Sequence, residues 1–324
     1  MDAEDLIKEA NSEIKKNKAE KVALQLPDGL KSRASDISAG LDAEAIVLAG
    51  SCFGACDLKD REANELGCDL LLHFGHADFG LKTEIPVSYI EAKSEKDISK
   101  LIEKASEKIK ETKIGLVAVV QFVHQLEKAK KILEGTGKEV FIAEPKGHSK
   151  YKGHILGCDI YSATSISDKV DAFLYIGGGE FHPLPIAVET GKKVYLANPE
   201  QDKIEKISGL KDKFLRKRFA QIELAKKAEK FGILATTKKG QNRVKLAEKL
   251  KKMIEKEGKK AVILVFNTIN PSDLINYRLD AYVNTACPRI AMDTEQYDKP
   301  LLSPIELEIG LGKRKWENYK LDRF

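Results

Sequence analysis

A chain of 324 residues exceeds the usual size of one hydrophobic core, so two or three domains are expected. Its net charge of +5 is modest, and Lys and Glu are interspersed, which describes solvated helix faces and gives only weak support for an acidic partner; no direct nucleic-acid contact is expected. No apolar run reaches the roughly 18 residues of a membrane-crossing helix, and the acidic start Met1-Asp2-Ala3-Glu4-Asp5 is unlike a signal peptide, so a cytoplasmic protein with no membrane contact is expected.

The chain opens on a predicted amphipathic helix, with Leu6, Ile7, Ala10 and Ile14 on one face between Asp5 and Lys16. Val22 to Leu26 reads as a short buried strand, ended by Pro27-Asp28-Gly29 and followed by a helix to about Leu41. Ala45 to Ala49 reads as a second strand. It leads into Ser51-Cys52-Phe53-Gly54-Ala55-Cys56-Asp57 and a helix over Leu58 to Leu66. Cys68 to His76 is a third strand with its loop, and Val87 to Ile90 a fourth. Ile98, Leu101, Ile102, Ala105 and Ile109 predict a helix that closes this first round.

The order then repeats. Ile114–Val120, Val140–Ala143, Asp171–Ile176 and Lys193–Pro199 read as strands, with a helix carrying Leu126, Ala129, Ile132 and Leu133. A charged stretch follows from Gln201 to Lys230, in which Phe214, Phe219, Ile222 and Ala225 share a helix face. A third round brings strands at Gly232–Ala235, Ala261–Phe266 and Leu279–Asn284, and a helix with Val244, Ala247, Leu250 and Ile254. The third strands align as Asp69-Leu70-Leu71-Leu72-His73, Asp171-Ala172-Phe173-Leu174-Tyr175 and Asp280-Ala281-Tyr282-Val283-Asn284. The expected fold is therefore α/β, with three similar domains, each a small parallel sheet flanked by helices. The units are residues 1–110, 111–208 and 209–324.

Five cysteines, odd in number and widely spaced, argue against a disulfide framework and for core thiols or metal ligands. Each round carries one in a post-strand loop of small residues: Cys56, Cys158 and Cys287. A pseudo-threefold arrangement would bring those loops to one central site. Thiolate selects iron–sulfur clusters, zinc or copper(I). The CxxxCxxC motif of conventional radical enzymes fails here, because its third position is Lys59. A zinc site completed by His76, His148, His154 or His182 fits the same residues. Cys52 and Cys68 read as packed core thiols.

The loop sequences Gly54-Ala55-Cys56-Asp57, Leu156-Gly157-Cys158-Asp159 and Asn284-Thr285-Ala286-Cys287-Pro288-Arg289-Ile290-Ala291-Met292-Asp293 resemble the three cysteine motifs of archaeal diphthamide-synthesis enzymes. So do Leu26 to Leu30 and Gly177 to Pro183. The resemblance implies the 2-(3-amino-3-carboxypropyl)histidine synthase family, homodimers of three-domain subunits. It implies a four-iron four-sulfur cluster on Cys56, Cys158 and Cys287, and S-adenosylmethionine as co-substrate. It also implies an electron donor, and translation elongation factor 2 as the protein modified.

In that chemistry the donor is cut at its methionine γ-carbon. A 3-amino-3-carboxypropyl radical joins C2 of a histidine imidazole, and methylthioadenosine leaves. A pocket for the donor needs groups for a carboxylate, an ammonium, a ribose and a base. Arg289 offers a bidentate fork for the carboxylate, or a structural salt bridge. Gly177, Gly178 and Gly179 offer close backbone approach, or a tight turn. Asp28 and Gly29 end the first strand, where Asp28 also suits a helix cap. His182 and Gln25 complete the candidates. Two rivals stand beside this reading. One is a quinolinate synthase-like cluster enzyme. The other is a zinc-stabilised scaffold presenting the basic stretch Lys211 to Arg218 to nucleic acid.

Overall fold

The computed structural model describes residues 3–292 and 294–323; Met1 and Asp2 of the acidic start, Asp293 of the last cysteine motif and the terminal Phe324 lie outside them. The strands are β1 (Lys21–Gln25), β2 (Glu44–Val47), β3 (Leu70–Phe74), β4 (Val87–Ile90), β5 (Lys113–Ala118), β6 (Glu139–Phe141) and β7 (Ala172–Ile176). After them come β8 (Lys193–Asn198), β9 (Lys203–Lys206), β10 (Lys230–Thr236), β11 (Lys260–Phe266), β12 (Ala281–Asn284) and β13 (Leu301–Leu302).

Among the described residues they form three sheets, ordered β2-β1-β3-β4, β6-β5-β7-β8-β9 and β11-β10-β12-β13. The order is the same in each: second, first, third, fourth. All these pairings are parallel except β8 with β9. Parallel strands cannot be joined by tight turns, so helical crossovers cover the faces and both faces lose water. In β7 the alternation is visible directly. Ala172, Leu174 and Ile176 enter one core, while Phe173 and Tyr175 enter the other. β3 and β12 split the same way. The fold is α/β, with three largely parallel sheets flanked by helices.

The repeated aspartates have a shared task. Asp69 Oδ2 accepts from the backbone N–H groups of Glu20 and Lys21, both at 2.9 Å. Asp280 Oδ2 accepts from those of Glu229 at 3.0 Å and Lys230 at 2.8 Å. Asp171 Oδ2 accepts from Lys113 at 3.3 Å. Each carboxylate, at the head of a third strand, caps the start of the neighbouring first strand.

Some elements differ from expectation. The helix Ser99–Lys108 covers the second sheet rather than closing the first round, because Ile98, Leu101, Ile102 and Ala105 pack with β5 and β7 residues. β9 lies within the charged stretch and buries only Ile204 of its own four residues, too little to mark it as a strand. The segment after β1 begins as a 3-10 turn over Asp28–Arg33, and its α-helix is short, Ala34–Ala39. In the long helix Ser208–Ala225, Phe214, Ile222 and Ala225 are buried as expected, but Phe219 is exposed and meets Trp316 edge-on. Arg218 of the basic stretch is not presented to solvent. It is 1% exposed and forks onto Glu306.

Candidate functional site

The strand order of each sheet reverses beside its first strand, at β1/β3, β5/β7 and β10/β12. Loops leaving the carboxyl ends of strands at such points form the usual ligand crevice of parallel sheets. Cys287 follows β12 at its switch point, while Cys56 and Cys158 follow β2 and β6, the edge strands beside β1 and β5. All three line one cavity of about 220 Å³, together with His76, His154, Phe181, His182, Gln241 and Arg289.

Each thiol is placed by its own local device. The Cys56 loop turns through Asp57 N–H onto the Gly54 carbonyl at 3.0 Å, and the Cys56 carbonyl accepts from Gly240 N–H at 3.0 Å. An added Cβ at Gly240 would stand 2.6 Å from Cys56 Cα, so the third unit touches the first at a position that only glycine fits. Lys238 pairs with buried Asp57, and Lys239 with buried Asp60 at 2.6 Å. These contacts bind the loop after β10 to the Cys56 segment.

Cys158 sits in a tight reversal, with Leu156 N–H on the Asp159 carbonyl at 2.8 Å and Asp159 N–H on the Leu156 carbonyl at 3.2 Å. Asp159 Oδ2 takes His148 N–H at 2.8 Å, and Oδ1 takes Tyr161 N–H at 3.0 Å. A bridge between Ala118 and His154 fastens this loop to the end of β5. Cys287 precedes a short helix, Pro288–Met292, and its carbonyl accepts from Ile290 N–H and from Asn284 Nδ2 at 2.8 Å. Behind it, Arg243 donates to the carbonyls of Thr285 and Ala286 at 2.9 Å and pairs with Asp322 at 2.6 Å. The tail thus has a role: it braces the Cys287 loop, and Leu321 N–H also reaches Glu189 at 2.6 Å.

Burial pushes the Cys56 thiol up to about 11, against the hydrogen bond from Gln241, and the nearby Cys287 adds to the rise. Cys158 is raised further by burial and by the charges of Cys56 and Cys287. Cys287 is also raised by burial, opposed by Arg289 N–H and by the cations Arg289, Lys238 and Arg243. Three thiols that oppose one another's ionisation become thiolates when a cationic iron centre supplies the missing charge. The residues fit a cluster held by three cysteines.

Arg289 stands 5.0 Å over the Phe181 ring, which also packs edge-on to His182. Burial, with Arg289, His154 and His76 close by, lowers His182 to about 4, so its imidazole is neutral. Gly177, Gly178 and Gly179 do not line the cavity; they form the turn after β7 that delivers Phe181 and His182. Asp28 and Gly29 are exposed and outside the lining; Asp28 pairs with Lys31 at 2.5 Å. Gln25 lies just beneath, buried, with its Nε2 on the Asp57 carbonyl at 2.5 Å. A second cleft, of about 320 Å³, shares Phe53, Gln241, Cys287 and Arg289 with the first and is otherwise lined by Asn267, Asn270 and Tyr297 among others.

From residue 26 to residue 320 the chain matches the diphthamide synthesis protein family. The chain belongs to that family. Within it, the chain is 37% identical over 316 residues to the 2-(3-amino-3-carboxypropyl)histidine synthase of Pyrococcus horikoshii, covering 96% of this chain and 90% of the relative. The synthase of Methanocaldococcus jannaschii is 30% identical, with 100% of this chain and 94% of the relative covered. The crystal structure of Dph2 from Pyrococcus horikoshii with a 4Fe-4S cluster superposes with a TM-score of 0.91 at 35% identity, over 98% of this chain and 93% of that one. Gln241, Lys238 and Arg243 carry no sequence signal, and Phe181 stands in the sequence only as a member of the Gly177 to Pro183 motif. Only the fold shows that they meet the cysteine loops.

Proposed function

We propose that the chain is a 2-(3-amino-3-carboxypropyl)histidine synthase catalysing the first step of diphthamide formation on a histidine of translation elongation factor 2. Cys56, Cys158 and Cys287, from the loops of three different sheets, line one cavity with Arg289, and this carries the function. Three thiolates hold a four-iron cluster and leave one iron without a protein ligand, since a cubane normally takes four. When bound, such a cluster supplies the electron that breaks the sulfur–γ-carbon bond of S-adenosylmethionine, giving the 3-amino-3-carboxypropyl radical that adds to the imidazole C2.

The chain's own residues bind and orient. Arg289 forks the donor carboxylate while Phe181 steadies its guanidinium. His182, neutral and packed beside the Tyr175 and Phe181 rings, offers a hydrogen-bonding edge without adding charge. The Gly177–Gly179 turn sets the approach of both rings. The glutamine Gln25 holds the Cys56 loop from below, and Asp28 with Gly29 closes the end of β1. The second cleft, meeting the first at Phe53 and Cys287, gives the protein substrate's histidine its own route. An electron donor, a homodimeric assembly and a cytoplasmic setting complete the reading. No helix among the described residues is long and apolar enough to cross a membrane.

Anaerobic cluster reconstitution, reduction and chromatography of the nucleoside product test it. Methylthioadenosine is the expected product. A dominant yield of 5′-deoxyadenosine overturns the bond choice. Quinolinate formation from small precursors without donor cleavage would hand the site to the rival enzyme.

A further inference from the structure

Beside the cysteine-lined cavity lies a second group of donor atoms, separate from Cys56, Cys158 and Cys287. Cys52, His73 and His76 each offer one ligand atom, and the three atoms lie within 4.8 Å of one another. Cys52 is 4% exposed and His73 fully buried, while His76 reaches the cavity wall. His73 Nε2 and His76 Nδ1 are 3.0 Å apart.

The proton positions follow from the surroundings. Gln25 Nε2 donates to the Asp57 carbonyl at 2.5 Å, and its Oε1 accepts from Lys59 N–H at 3.2 Å, so the amide has one orientation. The same Oε1 lies 3.0 Å from His73 Nδ1. An oxygen only accepts, so Nδ1 carries the His73 proton and Nε2 carries a lone pair. Metal-ligating histidines show this arrangement, with the second ring N–H held by a carbonyl oxygen. Burial and the Asp57 carboxylate push the Cys52 thiol up, against the Gly54 N–H that its sulfur receives, so the thiol stays protonated until a cation replaces its proton. Burial holds His73 at about 3 and His76 at about 4, so both rings are the neutral imidazoles that a metal requires.

We propose that Cys52, His73 and His76 bind one divalent cation of the zinc class, at a site separate from that of Cys56, Cys158 and Cys287. One thiolate and two imidazoles suit zinc, with a water in the fourth position. Binding breaks the Cys52 S–H bond and releases that proton to solvent as the metal–sulfur bond forms. The His76 proton moves from Nδ1 to Nε2, so both rings stay neutral and no electron is transferred. Metal–nitrogen bonds of about 2.0–2.1 Å at a tetrahedral angle put the two ring nitrogens roughly 3.3 Å apart, a few tenths of an ångström beyond their present spacing. The metal would clip the Cys52–Cys56 loop to the end of β3.

The test uses the full-length chain, prepared anaerobically without its cluster and with Cys56, Cys158 and Cys287 all replaced by alanine. Cobalt(II) serves as a visible stand-in for zinc. We expect one cobalt per chain, with tetrahedral visible bands and a thiolate charge-transfer band, both discharged by added zinc. Adding Cys52→Ala removes the charge-transfer band, and Gln25→Leu weakens binding about 10–100-fold, the usual effect of losing an outer-shell partner. Absence of bound cobalt, or a charge-transfer band that survives Cys52→Ala, overturns the proposal. If the triple variant does not fold, metal analysis of the cluster-loaded chain decides. Zinc should then fall in Cys52→Ala while iron stays constant, and zinc unchanged or absent in the parent overturns the site.

Discussion

The side-chain Nε2 of Gln241 lies 3.2 Å from the sulfur of Cys56. The donor comes from the third sheet's first loop and the thiol from the first sheet's second loop. This hydrogen bond lowers the energy of the thiolate and opposes the burial that raises Cys56. A donor on a cluster sulfur stabilises the more negative, reduced state. Gln241→Leu should therefore keep iron content but make reduction harder. Loss of about 1.4 kcal/mol, near the upper end for a net hydrogen bond, corresponds to roughly 60 mV for a one-electron couple. A potentiometric titration followed by electron paramagnetic resonance checks this; an unchanged potential would remove Gln241 from the cluster's surroundings.

The ligand assignment makes a sharper demand. Single alanine replacements of Cys56, Cys158 and Cys287 should each lower bound iron or abolish activity. Cys52→Ala and Cys68→Ala should leave the brown absorbance largely intact. Gly240→Ala should behave like a weak Cys56 variant, because its methyl group would press on the Cys56 backbone at 2.6 Å. Iron and sulfide analysis of the series decides. A cluster lost from Cys52→Ala but retained in Cys56→Ala would move the ligand within the first loop.

The triplication was legible because it rests on local pattern. Three aspartates begin three third strands, and each caps a first strand that starts with lysine: Lys21, Lys113 and Lys230. The three loop cysteines were legible as candidates for the same reason. Their surroundings were not. Gln241 and Lys238 act on Cys56 and Asp57 across some 180 positions of sequence, a distance at which spacing carries no signal. The helix Ser99–Lys108 shows its apolar stripe in sequence, but the stripe does not say which sheet it covers. β9 has one buried residue in four, too little alternation to stand out among lysines.

Arg289 separates charge from shape. Arg289→Lys keeps a cation near Cys287 but loses the two-pronged fork and the guanidinium that stands 5.0 Å over the Phe181 ring. Loss of a charge-assisted hydrogen bond worth about 1.5–3 kcal/mol predicts donor affinity weaker by roughly 10- to 150-fold. The cluster spectrum should not change. Equilibrium binding of S-adenosylmethionine to the oxidised, reconstituted protein measures this without turnover. Unchanged binding in Arg289→Ala would reject the role.

The strand caps carry a pH signature. Two backbone N–H groups hold the Asp280 carboxyl below its ordinary value. A depressed carboxyl contributes stability that is whole above its unfolded value of about 3.9 and is lost as pH falls through the lower folded value. Asp280 is largely solvated, so screening discounts the contribution to about 0.5–1 kcal/mol. Asp280→Asn should lower the urea midpoint at pH 7, with the difference closing below pH 4. A deficit that persists unchanged at pH 3 would show that the carboxylate charge is not the cause.

Arg218 and Glu306 form an ion pair in which each side chain is 1% exposed. Arg218 Nε donates to Glu306 Oε1 at 2.7 Å, and Nη2 donates to Oε2 at 2.5 Å and to the Leu301 carbonyl at 2.6 Å. Glu306 also accepts from Ser303 N–H at 2.7 Å and from the Tyr319 hydroxyl at 3.1 Å. The pair thus joins the long helix Ser208–Ala225, the helix Pro304–Gly310 that follows β13, and the tail. Removing the arginine alone leaves a buried carboxylate without its countercharge, which costs about 3–5 kcal/mol. Arg218→Met should therefore be severely destabilised. In Arg218→Met/Glu306→Gln the charge is gone; the amide oxygen takes the Oε2 position and accepts from Ser303 N–H, while the NH2 takes the Oε1 position and donates to the Tyr319 hydroxyl, which turns to accept. That double variant should be more stable than Arg218→Met by about 1–3 kcal/mol, the usual range of coupling between contacting residues. Denaturant unfolding of both variants, with Glu306→Gln alone closing the cycle, measures the coupling. A double variant no more stable than Arg218→Met would mean that the pair acts through shape and packing rather than through the buried charge.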